Sequence, residues 1–206
     1  MASSRLPVAV LASGSGSNLQ ALLDAAAGHD FGAEIVGVIS DRPGIRALER
    51  AARAGVPTDV VAWGDFADRG AFTGAICDAA EGLGAEVMAL AGFMRVLSPN
   101  AIERFPNRIV NIHPALLPAF PGERAVDDAL AYGVKLTGVT VHFVDEQVDH
   151  GPIIYQEVVR VHPGDTAGDL HARIQEVEHR VYPEVLDALA HGRLRVDGRR
   201  VHWEHG

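Results

Sequence analysis

A short apolar run at 8–12, Val-Ala-Val-Leu-Ala, passes directly into Ser13-Gly-Ser-Gly-Ser-Asn18, after which Leu19, Leu22 and Leu23 recur at helical spacing. A strand that is apolar on both faces must be covered on both, so a strand, glycine turn and helix in succession point to a sheet flanked by helices. The alternation continues. Residues 34–39 read as a second strand, and 45–54 as an Ala-rich helix stopped by Gly55 and Pro57. A short apolar strand follows at 59–62, then a helix over 65–80 carrying Phe66, Phe72 and Ile76, and a buried strand at 87–91. This order predicts an α/β fold, with an open, mostly parallel, Rossmann-like sheet, right-handed crossovers and helices on both faces.

The second half adds strands at 136–144 and 153–161, with a helix at Ala125–Tyr132 closed by Gly133. Thr166-Ala-Gly-Asp169 has the form of a capping box and opens a helix whose apolar stripe is Leu170, Ile174, Val177 and Val181, with Gln175 and Glu178 off the stripe. Pro183 is expected to kink or interrupt that helix. Residues 194–196 and 200–203 flank Asp197-Gly198, a hairpin signal. Antiparallel strands are therefore expected in this half. With no repeat, linker or low-complexity tract, residues 1–206 read as a single domain.

The stretch most suited to chemistry is Arg108-Ile-Val-Asn-Ile-His-Pro114. Val110 and Ile112 pack to one side of a strand, while Asn111 and His113 share the other face. Pro114, Pro118 and Pro121 then end the strand and stiffen the loop beyond it. The amide–imidazole pair at a strand end, with a distant carboxylate at Asp149, suits catalysis better than a core histidine beside a capping asparagine. His142, on one face of the 136–144 strand with Thr140, reads as structural.

The glycines of 13–18 let backbone N–H groups approach an anion, and the following helix adds its N-terminal dipole. Gly14 and Gly16 imitate a dinucleotide fingerprint, but Leu19 stands where the third glycine belongs. Asp41, at the end of the second strand, reads either as a ribose-binding acid or as a strand-end turn residue. Arg69 reads as a solvated surface charge, and segment 92–99 as core cover or a pocket wall.

A formal charge of -9 excludes a general nucleic-acid binder, so any anionic ligand must be held by local donors. The one cysteine, Cys77, can form no internal disulfide and reads as a small core residue in a reducing cytosol. The start of the chain, a short leader and then the first strand, only faintly imitates a signal peptide, and no apolar run reaches membrane-spanning length. A cytoplasmic protein without membrane partners is expected.

Segments 13–18, 40–43, 92–97 and 111–113 all follow strand C-termini, the edge where ligands bind in open α/β sheets. No serine or cysteine sits in a nucleophile elbow, and no metal-ligand pattern appears. Asn111, His113 and a carboxylate would serve acyl transfer to an amine without a covalent intermediate. The amide and an imidazolium would donate to the oxyanion, with Asp149 raising the His113 pKa and the pair moving protons.

Ser13-Gly-Ser-Gly-Ser-Asn-Leu-Gln20, Ala91-Gly-Phe-Met-Arg-Val-Leu-Ser-Pro99, Asn111-Ile-His-Pro-Ala-Leu-Leu-Pro118 and Val148-Asp-His-Gly-Pro152 closely resemble the phosphoribosylglycinamide formyltransferase family of purine synthesis. The resemblance runs from about residue 7 to Trp203 and implies a formyltransferase-type sheet. It implies 10-formyltetrahydrofolate as co-substrate, glycinamide ribonucleotide as acceptor, no metal, and a monomer or homodimer. By resemblance, His113 is the proton donor, Asn111 the oxyanion and formyl partner, and Asp149 the group raising the histidine pKa. Gly16, Ser17 and Asn18 hold the phosphate, with Gln175 and Glu178 on the rest of the ribonucleotide. Arg69, Met94, Arg95, Val96, Leu97, Asn111, Asp145, Glu146, Gln147, Val148 and Asp149 match the folate site. The Asn-x-His-Pro core is shared with formyl-folate hydrolases, so a deformylase is one alternative and a non-catalytic nucleotide-binding module another. Gly122-Glu-Arg-Ala125 departs from the histidine-containing segment common in the family.

Overall fold

The computed structural model describes residues 5–204, so the leader at 1–4 lies outside the described residues. The strands are β1 (Leu6–Ala12), β2 (Ala33–Ser40), β3 (Thr58–Val60), β4 (Val87–Leu90) and β5 (Ile109–His113), then β6 (Leu136–Phe143), β7 (Ile153–Arg160), β8 (Leu194–Asp197) and β9 (Arg200–Trp203). They form one sheet in the order β3-β2-β1-β4-β5-β6-β7-β9-β8. The helices are α1 (Ser17–Ala26), α2 (Arg46–Arg53), α3 (Arg69–Gly82), α4 (Pro99–Arg104), α5 (Ala125–Tyr132) and α6 (Ala167–Ala190).

All pairings among β1 to β5 are parallel. β6 runs antiparallel to both β5 and β7, and the β8–β9 hairpin joins through β9, parallel to β7. The expected division between a parallel first half and a mixed second half is what forms.

The period of two along β1 explains the layers. Val8, Val10 and Ala12 pack against Leu19 and Leu22 of α1, Ala47 and Ala51 of α2, and Leu170, Ile174 and Val185 of α6. Ala9 and Leu11 face the other way, onto Phe72, Ile76 and Cys77 of α3 and Ala101 of α4. Each fully buried Leu, Ile or Phe among them contributes roughly 1.5–3 kcal/mol. The Tyr182 hydroxyl lies 2.9 Å from the Leu90 carbonyl and 3.0 Å from that of Val110, tying α6 to β4 and β5.

Several boundaries differ from the sequence reading. α3 starts at Arg69 and not at 65, because the Asp68 side chain accepts from Ala71 N–H at 2.8 Å and caps it there. Residues Trp63–Asp65 form a separate 3-10 turn. β3 is an exposed edge strand at Thr58–Val60, paired only with β2, and not the apolar strand expected at 59–62. α4 has no counterpart in the sequence reading. It starts with Pro99 in the first turn, where the missing N–H costs nothing. α6 opens with the expected capping box and runs through Pro183 without interruption. Its neighbours Tyr182, Val185 and Leu186 are fully buried and hold the helix together there.

From β1 the chain moves outward to β2 and β3, then returns to β4 and β5 on the other side of β1. A crevice opens beyond the carboxyl ends of β1 and β4, where the crossovers part.

Candidate active site

The crevice is a cleft of about 650 Å³. Its walls are the glycine loop, residues 90–97, residues 111–114, part of the 142–149 segment, and Gln175 and Glu178 of α6. That volume lies within the usual range for small-molecule sites.

Gly16 has φ +70°, and a Cβ there would stand 2.8 Å from the Ala47 Cα, so only glycine lets the loop lie against α2. Ala47 N–H donates to the Gly14 carbonyl at 3.2 Å, and Arg50 Nε to the Ser15 carbonyl at 2.9 Å. Gly16 also occupies the N-cap of α1 and has no side chain to cap it, which leaves first-turn N–H groups for an anion. Gln175 Nε2 donates to Ser17 Oγ at 3.3 Å, and Asn18 Nδ2 to Glu178 Oε2 at 3.0 Å, so α6 closes over the loop. Glu178 is buried, contrary to its expected place away from the helix's packed face. Burial pushes its carboxyl up from the ordinary value, with the Asn18 hydrogen bond opposing. Asn18 Oδ1 is buried without a hydrogen-bond partner among the described residues.

The reacting groups come from β5, β6 and the loop after β6. Antiparallel pairing sets Asn111 opposite His142 and His113 opposite Thr140. Asp149, at φ +51°, turns its carboxylate back over the strand ends. Its Oδ2 accepts from Gly122 N–H at 2.7 Å and lies 3.4 Å from His113 Nδ1, and its Oδ1 lies 3.4 Å from Asn111 Nδ2. The three predicted catalytic residues therefore meet at the cleft. Gly122, in the segment that departs from the family pattern, contributes a backbone donor.

His142 is a correction: it lines the cleft and belongs to this network. Its Nδ1 faces the Phe143 carbonyl at 2.8 Å and must carry the proton, which leaves Nε2 to accept from Asn111 Nδ2 at 3.1 Å. The Asn111 amide nitrogen is thus held between an imidazole and a carboxylate. His113 Nε2 faces the Phe120 carbonyl at 2.8 Å and donates to it.

The expected rise in the His113 pKa is also corrected. Burial pushes it below the usual imidazole value and outweighs the upward pull of Asp149 and of the Phe120 carbonyl. Burial pushes the Asp149 carboxyl up, yet contacts with His142, Gly122 N–H and His113 together bring it below the usual range. The resting pair is a neutral imidazole beside a carboxylate.

Met94, Arg95, Val96 and Leu97 line the cleft, as do Asp145, Gln147 and Val148. Met94, Val96 and Val148 leave roughly half their surface at its mouth (55, 45 and 51%). Arg95 Nε donates to Asp41 Oδ2 at 2.7 Å and its guanidinium lies 5.1 Å from the Trp63 ring centre. Asp41 also pairs with Arg42 at 3.1 Å, so its carboxylate is committed to holding arginines at a strand end. Arg69 and Glu146 are exposed and do not line the cleft. The helix start that exposes Arg69 is set by the Asp68 cap. No group of three or more His, Cys, Asp or Glu side chains among the described residues is placed to hold a metal ion.

Such a site, at the switch point of a doubly wound sheet, can hold a small molecule against an amide, an imidazole and a carboxylate. A sequence model described as formyl transferase matches residues 6–186. A phosphoribosylglycinamide formyltransferase of Mycobacterium tuberculosis is 49% identical over 190 residues, covering 92% of this chain and 87% of that protein. A glycinamide ribonucleotide transformylase 1 from Symbiobacterium toebii superposes with a TM-score of 0.96 at 46% identity, covering 98% of this chain and 95% of that one. The trifunctional purine biosynthetic protein adenosine-3 of Gallus gallus is 42% identical over 97% of this chain, which spans only about a fifth (20%) of its length. The chain belongs to the formyl transferase family, on its phosphoribosylglycinamide formyltransferase branch.

Proposed function

We propose that the protein transfers the formyl group of 10-formyltetrahydrofolate to the amine of N1-(5-phosphoribosyl)glycinamide, a step of purine biosynthesis. The observation that carries this reading is that the glycine loop and the Asn111, His113 and Asp149 cluster open into one cleft. A phosphate on the N–H groups of Gly16, Ser17 and Asn18 directs the rest of the ribonucleotide along Gln175 and Glu178 toward His113. The unpartnered Asn18 Oδ1 suits a ligand hydroxyl. The folate lies along residues 94–97 and 145–149, its apolar parts against Met94, Val96 and Val148. Arg69 and Glu146, matched to the folate site by resemblance, stand exposed outside the cleft lining.

The amine attacks the formyl carbon and its oxygen becomes an oxyanion. That oxygen takes the place of the Phe120 carbonyl as acceptor for His113 Nε2–H, and shares an Asn111 Nδ2–H. The proton shed by the attacking amine reaches the free Nδ1 of the ring through Asp149 or water, and the Nε2 proton passes to the departing folate nitrogen. Asp149 stabilises the imidazolium while it exists. The C–N bond to the folate breaks as the new one is completed, with no enzyme-bound acyl group. This chemistry runs in the cytoplasm, where the single buried thiol stays reduced, in a one-domain chain that acts as monomer or homodimer.

Incubation with each substrate alone and with both tests the reading. Loss of the folate's formyl group only when the ribonucleotide is present supports it. Loss without the ribonucleotide means a hydrolase, and binding without turnover means a nucleotide-binding module.

A further inference from the structure

The loop at 144–152 joins β6 to β7 and carries Asp149 into the cleft. It is tightly turned. Asp149 sits in the left-handed region at φ +51°, and a Cβ on Gly151 would stand 1.8 Å from the Phe143 carbonyl oxygen. Within the loop, His150 Nδ1 lies 2.7 Å from Asp145 Oδ2, and Gln147 N–H donates to Asp145 Oδ1 at 2.9 Å. Asp145, Glu146 and Asp149 crowd three carboxylates into five positions, with His150 beside them.

A cation from another element reaches this loop. Arg199, in the turn of the β8–β9 hairpin, donates through Nη2 to the His150 carbonyl at 2.6 Å. Its Nη1 lies 3.3 and 3.4 Å from the two ring nitrogens of His150, so the guanidinium is held against the imidazole. The next residue, Arg200, pairs with Ile153 at the start of β7, which fixes where the turn stands relative to the loop. The hairpin is the last element of the sheet and lies outside the cleft.

We propose that Arg199 is a positioning residue for the formyl-donor side of the cleft. It clasps His150 and so fixes the 145–151 loop in the form that presents Asp145 and Asp149. It also offsets the loop's negative charge, which would otherwise oppose an anionic folate. The proposal rests on the reading that this loop walls the folate site. The hydrogen bonds of Arg199 go to His150 and not to the glycine loop, Gln175 or Glu178, so ribonucleotide binding is independent of it.

The test compares Arg199→Ala, Arg199→Lys and, as a control on a neighbouring cation, Arg200→Ala. Losing an exposed charge-assisted contact raises the KM for the folate about fivefold in Arg199→Ala, with the KM for the ribonucleotide unchanged. Lysine keeps the charge and a donor for the His150 carbonyl and restores most of the loss. Arg200→Ala behaves as the parent. Amide hydrogen exchange of the 144–152 segment needs no turnover: it speeds up in Arg199→Ala, while exchange in β1 and β4 does not change. Unchanged exchange in that segment overturns the clasp even if the parent shows no transferase activity. Equal rises in both KM values, or a lowered Tm with both KM values intact, overturn the positioning role and leave Arg199 a stabiliser of the fold.

Discussion

Replacing Asp149 with asparagine removes one negative charge and almost no volume. Asparagine can keep its amide oxygen on Gly122 N–H, now 2.7 Å from the carboxylate, which preserves the loop. Its NH2 then faces the Asn111 amide nitrogen, donor to donor, with the His142 Nε2 position, 3.7 Å away in the parent, as the nearest acceptor. The larger loss is at His113. Unit charges 3.4 Å apart attract by about 5 kcal/mol at an effective dielectric of ~20. Only the share that grows as the imidazolium forms bears on the rate. Taking about 3–4 kcal/mol, as for loss of a preorganised oxyanion donor, kcat falls by about two to three orders of magnitude. Both KM values stay within a few-fold of the parent. The sign of the pH effect follows from the same contact. Burial already holds His113 low and Asp149 opposes it, so removing the carboxylate lowers the pKa further. If the neutral imidazole is the working form, activity is lost as pH falls through that pKa, and the acid limb of kcat/KM moves to lower pH in Asp149→Asn. Steady-state kinetics with both substrates varied, across pH, measures each quantity. Parent-like turnover in the variant refutes the role of the carboxylate.

Three further outcomes concern the ribonucleotide side. Asn18→Ala leaves the buried Glu178 without its donor and raises the KM for the ribonucleotide about tenfold, and that for the folate much less; the reverse ordering assigns the glycine loop to the wrong ligand. Glu178 has a pKa raised by burial, so its favourable contribution is complete below the ordinary value of 4.5 and is lost as pH rises through the folded value. Glu178→Gln therefore raises the Tm at pH 7.5 but not at pH 4, while weakening ribonucleotide binding, and an unchanged Tm at pH 7.5 contradicts a burial cost at this carboxyl. Gly16→Ala places a methyl 2.8 Å from the Ala47 Cα at φ +70° and lowers stability by roughly 1–3 kcal/mol, read by denaturant unfolding.

The parts of the site that sequence shows most clearly are those set by local spacing. Asn111 and His113 share a face because a strand has a period of two, and the loop at 13–18 follows β1 because glycines follow an apolar run. His142 is hidden in the sequence because its role depends on antiparallel pairing with β5, which brings it opposite Asn111 from 31 positions away. Glu178 reads as solvent-facing beside the leucine and isoleucine stripe. Its burial comes from α1, whose Asn18 meets it across 160 positions. The direction of the His113 pKa is lost to sequence because a nearby carboxylate can be guessed there, whereas the depth of burial that outweighs it cannot. Arg69 and Glu146 rest on resemblance alone, and the fold leaves both outside the cleft. Pro183 shows the reverse case: a local break signal overridden by the packing of Tyr182 and Val185.

A single turnover with a 13C-labelled formyl folate and a ribonucleotide carrying 15N in its amine examines direct transfer at this site. Direct attack predicts that the label appears on the 15N, seen as carbon–nitrogen coupling, only when both substrates are present and without any enzyme species heavier by a formyl group. Release of labelled formate in place of the coupled product, or a formylated enzyme intermediate, contradicts it.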